Sequence, residues 1–244
     1  MQEIVSIIMP AYNAEKTISD SIRSVLEQSY TNYILYIIND ASTDNTDKVI
    51  KTFDDKRIIY LSNSVNQGVA LSRNNALKIC KGKYISFLDS DDTWSKNKLE
   101  LQVEKLTSGW DLVCSNYEVF TDDHKIINKR RFPEVITFGD MLKSNYIGNL
   151  TGIYNAEKTG VVYQQKKGHE DYIMWLSIIK KTKSAYCIQD EIAQYRISKN
   201  SLSANKFNVL KWQWDIYRNI LRFSFLKSSY YFIFYVFNGI MKRV

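Results

Sequence analysis

Three carboxylates, Asp89, Asp91 and Asp92, crowd around Ser90 directly after the apolar run 84–88. A run of this length suits a buried strand of a parallel sheet, and in open α/β sheets ligands sit just beyond the carboxyl ends of the strands. Packed this closely, carboxylates repel one another unless a cation holds them. Hard oxygen donors with room left for water and phosphate suit Mg²⁺ or Mn²⁺. One reading is therefore a metal–diphosphate site; the other is an acidic turn that caps the following helix. A second carboxylate pair, Glu170-Asp171, follows His169 and opens a stretch whose apolar positions Ile173, Leu176 and Ile179, with Trp175 and Ile178 beside them, mark a buried helical face. Taken by itself, that pair fits helix-dipole pairing and capping.

The elements that must carry these groups alternate regularly. Strands at 4–9, 33–39, 57–61 and 84–88 are separated by helical patterns at 16–27, 44–53 (opened by Ser42 or Thr43 as cap) and 69–80 (after Gly68). This order predicts an α/β domain with a doubly wound, mainly parallel sheet and right-handed crossovers. The strand ends Pro10-Ala11-Tyr12-Asn13 and Asn39-Asp40-Ala41-Ser42-Thr43-Asp44 then share one sheet edge with Asp89. Tyr12 can stack on a base, and Asp40 can accept a hydrogen bond from the ring N–H of a uracil. Ordinary turn chemistry explains the same residue types, though not three convergent acidic strand ends. No Gly-x-Gly-x-x-Gly follows the first strand and no Walker lysine motif is present, which argues against NAD or ATP. Further on, a helix at 96–106 and a strand at 111–120 continue the sheet, and the polar run 121–131 reads as a hairpin or a flexible loop.

A chain of 244 residues can bury a sizeable core as one large or two small domains, and two prolines and nine glycines argue against a linker. Cys80, Cys114 and Cys187 are scattered and odd in number, which fits neither a disulfide framework nor a zinc cluster and points to reduced cytosol. The amino terminus reads as a strand and not a signal peptide, and no stretch reaches the about 20 apolar residues that cross a bilayer. After residue 205 stand seven Lys and Arg against one Asp, so six of the seven net positive charges belong to the tail and the body is nearly neutral. The tail reads as helical. Phe207, Leu210, Trp214, Tyr217 and Leu221 form one apolar stripe; Trp212, Ile216, Ile220 and Phe223 form another; and YYFIFYVF follows at 230–237. Aromatic and cationic residues together fit a bilayer interface better than nucleic acid, with an oligomer contact or a buried helix as the alternative.

The ordered set VSIIMPAYN from Val5, NDASTDNT from Asn39, Asn66-Gln67-Gly68 with Ser72-Arg73-Asn74, and FLDSDD resembles the family 2 glycosyltransferases of the GT-A fold, bacterial glycan-assembly type. It spans about the first 100 residues. The resemblance implies that Pro10, Ala11, Tyr12 and Asp40 hold a uridine and that Arg73 lies near the diphosphate. Asp89, Ser90 and Asp91 would form the Asp-x-Asp element reaching ribose and a Mn²⁺ or Mg²⁺ ion. It also makes Asp171 the general base, oriented or tuned by Glu170, with His169 a neighbour rather than a metal ligand. Such a base stands opposite the leaving UDP and takes the acceptor hydroxyl's proton as an oxocarbenium-like transition state forms. Gln194-Tyr195-Arg196 and 198–203 resemble the family's loop after the last core strand, with Arg196 and Lys199 able to close over phosphates. Two departures stand out: Leu71 and Ser72 precede the arginine where a small residue is usual, and Ser198 stands in place of a histidine.

The expectation is a catalytic domain at 1–205, divided into a nucleotide-binding half (1–100) and an acceptor half (101–205), followed by a basic aromatic tail at 206–244. The implied activity is inverting transfer from a UDP-sugar to a lipid-linked or cell-surface glycan. It would occur at the cytoplasmic membrane face, without nucleic acid and with a homo-oligomer as an open option. The competing classes are a sugar nucleotidyltransferase, which needs a Gly-rich phosphate loop after strand one, and a non-catalytic nucleotide- or membrane-binding module.

Overall fold

The computed structural model describes residues 3–197 and 206–241. Strands β1 (Val5–Ala11), β2 (Tyr33–Asn39), β3 (Ile58–Ser62) and β4 (Tyr84–Phe87) lie parallel in the order β3-β2-β1-β4. Between them run α1 (Ile18–Leu26), α2 (Thr46–Ile50) and α3 (Val69–Leu77). Every residue of β1 is buried, as a strand covered on both faces requires. Alternation sends Val5, Ile7 and Met9 into one core and Ile8 into the other.

The sequence ends the first strand at Met9, but β1 continues through Pro10 to Ala11. The proline is tolerated for a local reason. The Ile8 carbonyl accepts from Leu88 on the β4 side, the Ala11 carbonyl accepts from Asp40 on the β2 side, and pairing with β4 ends at Ile8. Pro10, in phase with Ile8, therefore turns its missing N–H toward a side where the ladder has already stopped.

The second helix also differs from its expectation. It spans Thr46–Ile50 and follows Asn45, where 44–53 with Ser42 or Thr43 as cap was expected. Those two residues instead fasten the loops after β1 and β2 together: Asn13 N–H donates to the Ser42 hydroxyl (3.1 Å) and Thr43 N–H donates to Asn13 Oδ1 (2.9 Å). Asp44 accepts from Thr46 N–H and from Glu15 N–H, doing the work expected of a cap.

Past β4 the sheet becomes mixed. Strand β5 (Thr93–Trp94), helix α4 (Lys98–Thr107), β6 (Leu112–Thr121), β7 (Ile126–Arg130), β8 (Val135–Thr137), helix α5 (Phe138–Lys143), β9 (Ile153–Asn155) and helix α6 (Ala156–Thr159) lead to α7 (Glu170–Thr182) and β10 (Ser184–Ile197). β9 is antiparallel to both β4 and β6, and β6 is parallel to β10. Residues 121–131 resolve as a hairpin, with β7 antiparallel to β6. Gln194-Tyr195-Arg196, expected in a loop, lies inside β10, where Gln194 to Ile197 pair with Glu118 to Thr121. The expectations for 198–203 fall outside the described residues.

The chain then forms α8 (Lys206–Asp215), a π-helical turn (Ile216–Ile220) and α9 (Phe225–Met241). Gln213, Ile216 and Tyr217 are fully buried against α5 and α7: Tyr217 donates its hydroxyl to the Leu142 carbonyl (2.5 Å), and Tyr172 donates to the Met141 carbonyl (2.5 Å). Regular helical spacing assigns Ile216 and Tyr217 to separate apolar stripes, yet both enter the same core at the widened turn. Among the described residues no helix is long and apolar enough to cross a membrane.

Candidate active site

Parallel register brings the ends of β1, β2 and β4 to one edge, and the predicted site residues gather there. Pro10 and Ala11 are buried, whereas Tyr12 stands half exposed at the rim. Asp40 is 3% exposed and its carboxylate organises the loop before α3. Oδ1 accepts from Asn63 Nδ2 (2.8 Å) and Gln67 N–H (3.0 Å), and Oδ2 accepts from Gly68 N–H (2.8 Å). These donors outweigh the desolvation of Asp40 and hold its carboxyl below the usual range. The Ser72 hydroxyl, which also accepts from Asn63 (3.0 Å), adds to these donors, so Asp40 is held in place by the protein's own hydrogen-bond network. Gly68 supplies the φ of +87° with which the chain enters α3.

Arg73, on the second turn of α3, is 5% exposed. Its Nη2 donates to Asp89 Oδ1, and its Nη1 donates to Gln164 Oε1 (3.0 Å). Gln164 was not legible as a site residue. It lies in the loop before α7, exchanges a reciprocal pair of 2.8 Å hydrogen bonds with Asn74, and reaches the Met174 sulfur from Nε2. The arginine is thus fixed between the acidic turn and the helix that carries Glu170 and Asp171. Apart from being an amide in a polar loop, Gln164 carried no sequence signal.

Within the acidic turn the three carboxylates differ sharply. Asp89 is half-buried against Arg73. Burial, with the Asp89 charge adding to it, pushes Asp91 up to about 6. Asp92 is 1% exposed; its Oδ1 accepts from Arg196 N–H (2.9 Å), while its Oδ2 is buried without a hydrogen-bond partner. Burial first, and then Asp91 and Asp89, raise Asp92 well above a normal carboxyl. Arg196 is 5% exposed and does not hang free over the site as a phosphate clamp would. Its Nε donates to the Asp91 carbonyl (2.8 Å), its Nη2 meets Asp20 (3.3 Å), and its guanidinium stacks 4.5 Å from the Phe120 ring. It is a strut that sets the shape of the acidic turn.

Helix α7, reached from Arg73 through Gln164 and Met174, begins at Glu170 after His169, which adopts a left-handed φ of 64°. Burial and the Asp171 charge raise the Glu170 pKa, partly offset by Arg73 and His169. Tyr117 on β6 is pushed up to about 12 by burial, with Asp92 and Asp171 both contributing. The two acidic groups, distant in sequence, therefore share one electrostatic environment. Trp212 of α8 packs edge-on to the His169 ring at 5.5 Å and lies against Gly168, where any Cβ would overlap its indole. Tyr235 of α9, pushed up to about 12 by burial, also feels the Asp171 charge.

The sheet edge thus carries an acidic turn after its fourth strand, and a carboxylate pair opens the later helix α7. Residues 6–174 match the family model described as "Glycosyl transferase family 2", and the chain belongs to that family. It is 41% identical over 242 residues to the UDP-Glc:alpha-D-GlcNAc-diphosphoundecaprenol beta-1,3-glucosyltransferase WfgD of Escherichia coli, covering 98% of this chain and 95% of the relative. It is 38% identical over 250 residues to the Escherichia coli enzyme WfaP, which carries the same activity name, covering 99% and 96%. The fold matches S. aureus TarS 1-349 in complex with UDP-GlcNAc with a TM-score of 0.72 at 20% identity, over 88% of this chain and 66% of that one. It also matches the mannosyltransferase PcManGT from Pyrobaculum calidifontis, in complex with GDP-Man and Mn2+, with a TM-score of 0.68 at 17% identity, over 92% and 66%. The architecture is of the GT-A type, and the sugar nucleotidyltransferase reading is set aside.

Proposed function

We propose that this glycosyltransferase moves a hexose from a UDP-sugar, with inversion, to a hydroxyl of a diphosphoundecaprenol-linked glycan. The observation that supports this best is a buried acidic turn and a separate carboxylate pair that act on common neighbours. Tyr117 feels both Asp92 and Asp171, and Glu170 feels Arg73. In this reading Tyr12 stacks on the uracil, and Asp40, fixed by its protein donors, accepts from its ring N–H. Arg73, already held by Asp89 and Gln164, turns a fixed positive charge toward the diphosphate. Fixed charges of this kind need no reorganisation during reaction and favour the departing UDP.

Asp171 accepts the acceptor hydroxyl's proton on the opposite face of the sugar, and Glu170 keeps that carboxylate oriented. The β linkage in the WfgD name is what displacement at an α-linked nucleotide sugar from the opposite face produces.

The acidic turn also fits a divalent cation. Among the described residues no three His, Cys, Asp or Glu side chains form a ready cage, but Mg²⁺ and Mn²⁺ are commonly held by one or two carboxylates together with substrate phosphates. Asp91, raised first by burial and then by the Asp89 charge, and Asp89 would hold the ion, whose chemistry is to neutralise charge on the diphosphate.

The reading is tested by incubating the protein and Mn²⁺ with UDP-glucose, UDP-galactose or UDP-GlcNAc and a GlcNAc-diphospho-lipid acceptor. Released UDP and the anomeric configuration of the product are then measured. A β-linked product with UDP-glucose is expected. An α-linked product would overturn inversion, and turnover with none of the three donors would overturn the proposed donor class.

A further inference from the structure

Helix α9 is two-sided in an unusual way. Its inward side joins the domain through buried Ser228, through Tyr231 tilted against the Phe223 and Tyr217 rings, and through Asn238, whose amide donates to the Lys143 carbonyl (3.2 Å). Its outward side shows Leu226 at 81% exposure, Tyr230 at 52%, Ile233 at 67%, Phe234 at 37% and Phe237 at 58%. At helical periodicity these five fall within an arc of about 100°, the width of the stripe that a helix normally buries. No charged residue occurs between Lys227 and Lys242, so nothing polar interrupts the stripe.

The surroundings of the stripe say what covers it. Arg222 and Lys227 are exposed at the start of α9 and Lys211 is exposed on α8, while the one acid of this region, Asp215, is occupied by Asn219. Two copies meeting through this face would bring like charges together, whereas an anionic surface would be attracted. Aromatic side chains beside cations on an amphipathic helix suit the headgroup–acyl boundary.

We propose that the outward face of α9 docks on an anionic lipid bilayer, lying in its interface without crossing it, and holds the active site at the membrane surface. The opposite face of the same helix carries Tyr235, within the field of Asp171. The docking does not depend on the base reading above.

The test is co-sedimentation of the full chain with phosphatidylcholine vesicles with and without phosphatidylglycerol, in low and high salt. Three proteins are compared: wild type, the double variant Ile233→Asp/Phe237→Asp, and Lys227→Glu. All altered side chains are solvent-exposed, so UDP binding and thermal unfolding should match wild type. Wild type should bind the anionic vesicles and lose affinity in salt. The double variant should bind at least tenfold more weakly, and Lys227→Glu should lose more than about fivefold, the value of one cation near an anionic leaflet. Equal binding by the double variant, or wild type remaining in the supernatant with both vesicles, would overturn the proposal. So would a dimer in sedimentation equilibrium that the double variant abolishes without any vesicle affinity. Transfer to a soluble acceptor analogue should be unchanged in these variants, which separates failure of docking from failure of the catalytic reading.

Discussion

Asp91→Asn should make the metal-free protein more stable while disabling it. The folded pKa of Asp91, about 6, lies above its ordinary 3.8 because burial and Asp89 disfavour the charged form. Between those two values the folded chain holds a proton that the unfolded chain has released, so stability falls as pH rises through the window, and the penalty is complete above it. At 1.36 kcal/mol per pH unit, the gap is worth about 3 kcal/mol at pH 7. An amide of the same shape carries no such penalty. For a chain of this size, the variant should melt roughly 6–12 °C higher than wild type at pH 7, and the advantage should vanish near pH 4. The assay is thermal unfolding in EDTA from pH 4 to 7, followed by calorimetric UDP titration in Mn²⁺. The variant should lose most of the metal-enhanced affinity. A variant no more stable at pH 7 than at pH 4, relative to wild type, would refute the claim that Asp91 is electrostatically frustrated. Equal UDP affinity of wild type with and without Mn²⁺ would remove the metal from the site.

Asp171→Asn keeps the shape of the base but cannot take a proton, so transfer should drop roughly 10²- to 10⁴-fold with donor affinity nearly unchanged; near-normal turnover would move the base elsewhere. Gly152 lies against the fully buried Trp175 ring, which a Cβ would overlap. Gly152→Ala should therefore cost about 1–3 kcal/mol by overpacking, read as a lower urea midpoint. Trp212→Ala opens the contact over Gly168 and His169 and should lower kcat about tenfold while leaving the UDP Kd alone. Trp212→Phe should restore most of the rate, and a loss confined to stability would show the indole to be packing only.

The parts of the fold legible in advance were those where one physical requirement dominates. The expected strand 33–39 matches β2 residue for residue, because a strand buried on both faces must be a continuous apolar run, and polar residues bracket it. The acidic turn was legible for the complementary reason: charge ends such a run abruptly. Gln194 to Arg196 were assigned to a loop by resemblance to the family's segment after the last core strand, yet they lie in β10, where the Gln194 side chain ties neighbouring strands together. Gln194 Nε2 donates to Glu118 (3.0 Å), and its Oε1 accepts from Thr93 (3.1 Å). Gln164 was hidden because its value comes from meeting Arg73 and Asn74, about 90 positions earlier, and spacing carries no trace of such a meeting. The aromatic residues around the carboxylate pair were hidden in the same way: Trp212 meets His169 and Gly168, more than 40 positions earlier, and no spacing signals that contact.

The three residues of β9 have a consequence for how the molecule comes into being. They fill the gap between β4 and β6, so the strand that delivers Asp89 to Asp92 has no second neighbour until residue 155 has been made. Arg196, which shapes the acidic turn, arrives later still. On the ribosome, the first hundred residues must therefore wait with an open strand edge, and the last steps of assembly are closures across large sequence separations, the slow kind. A nascent chain halted before β9 should be sensitive to protease and prone to edge-to-edge association. The nucleotide site would become competent only near the end of synthesis.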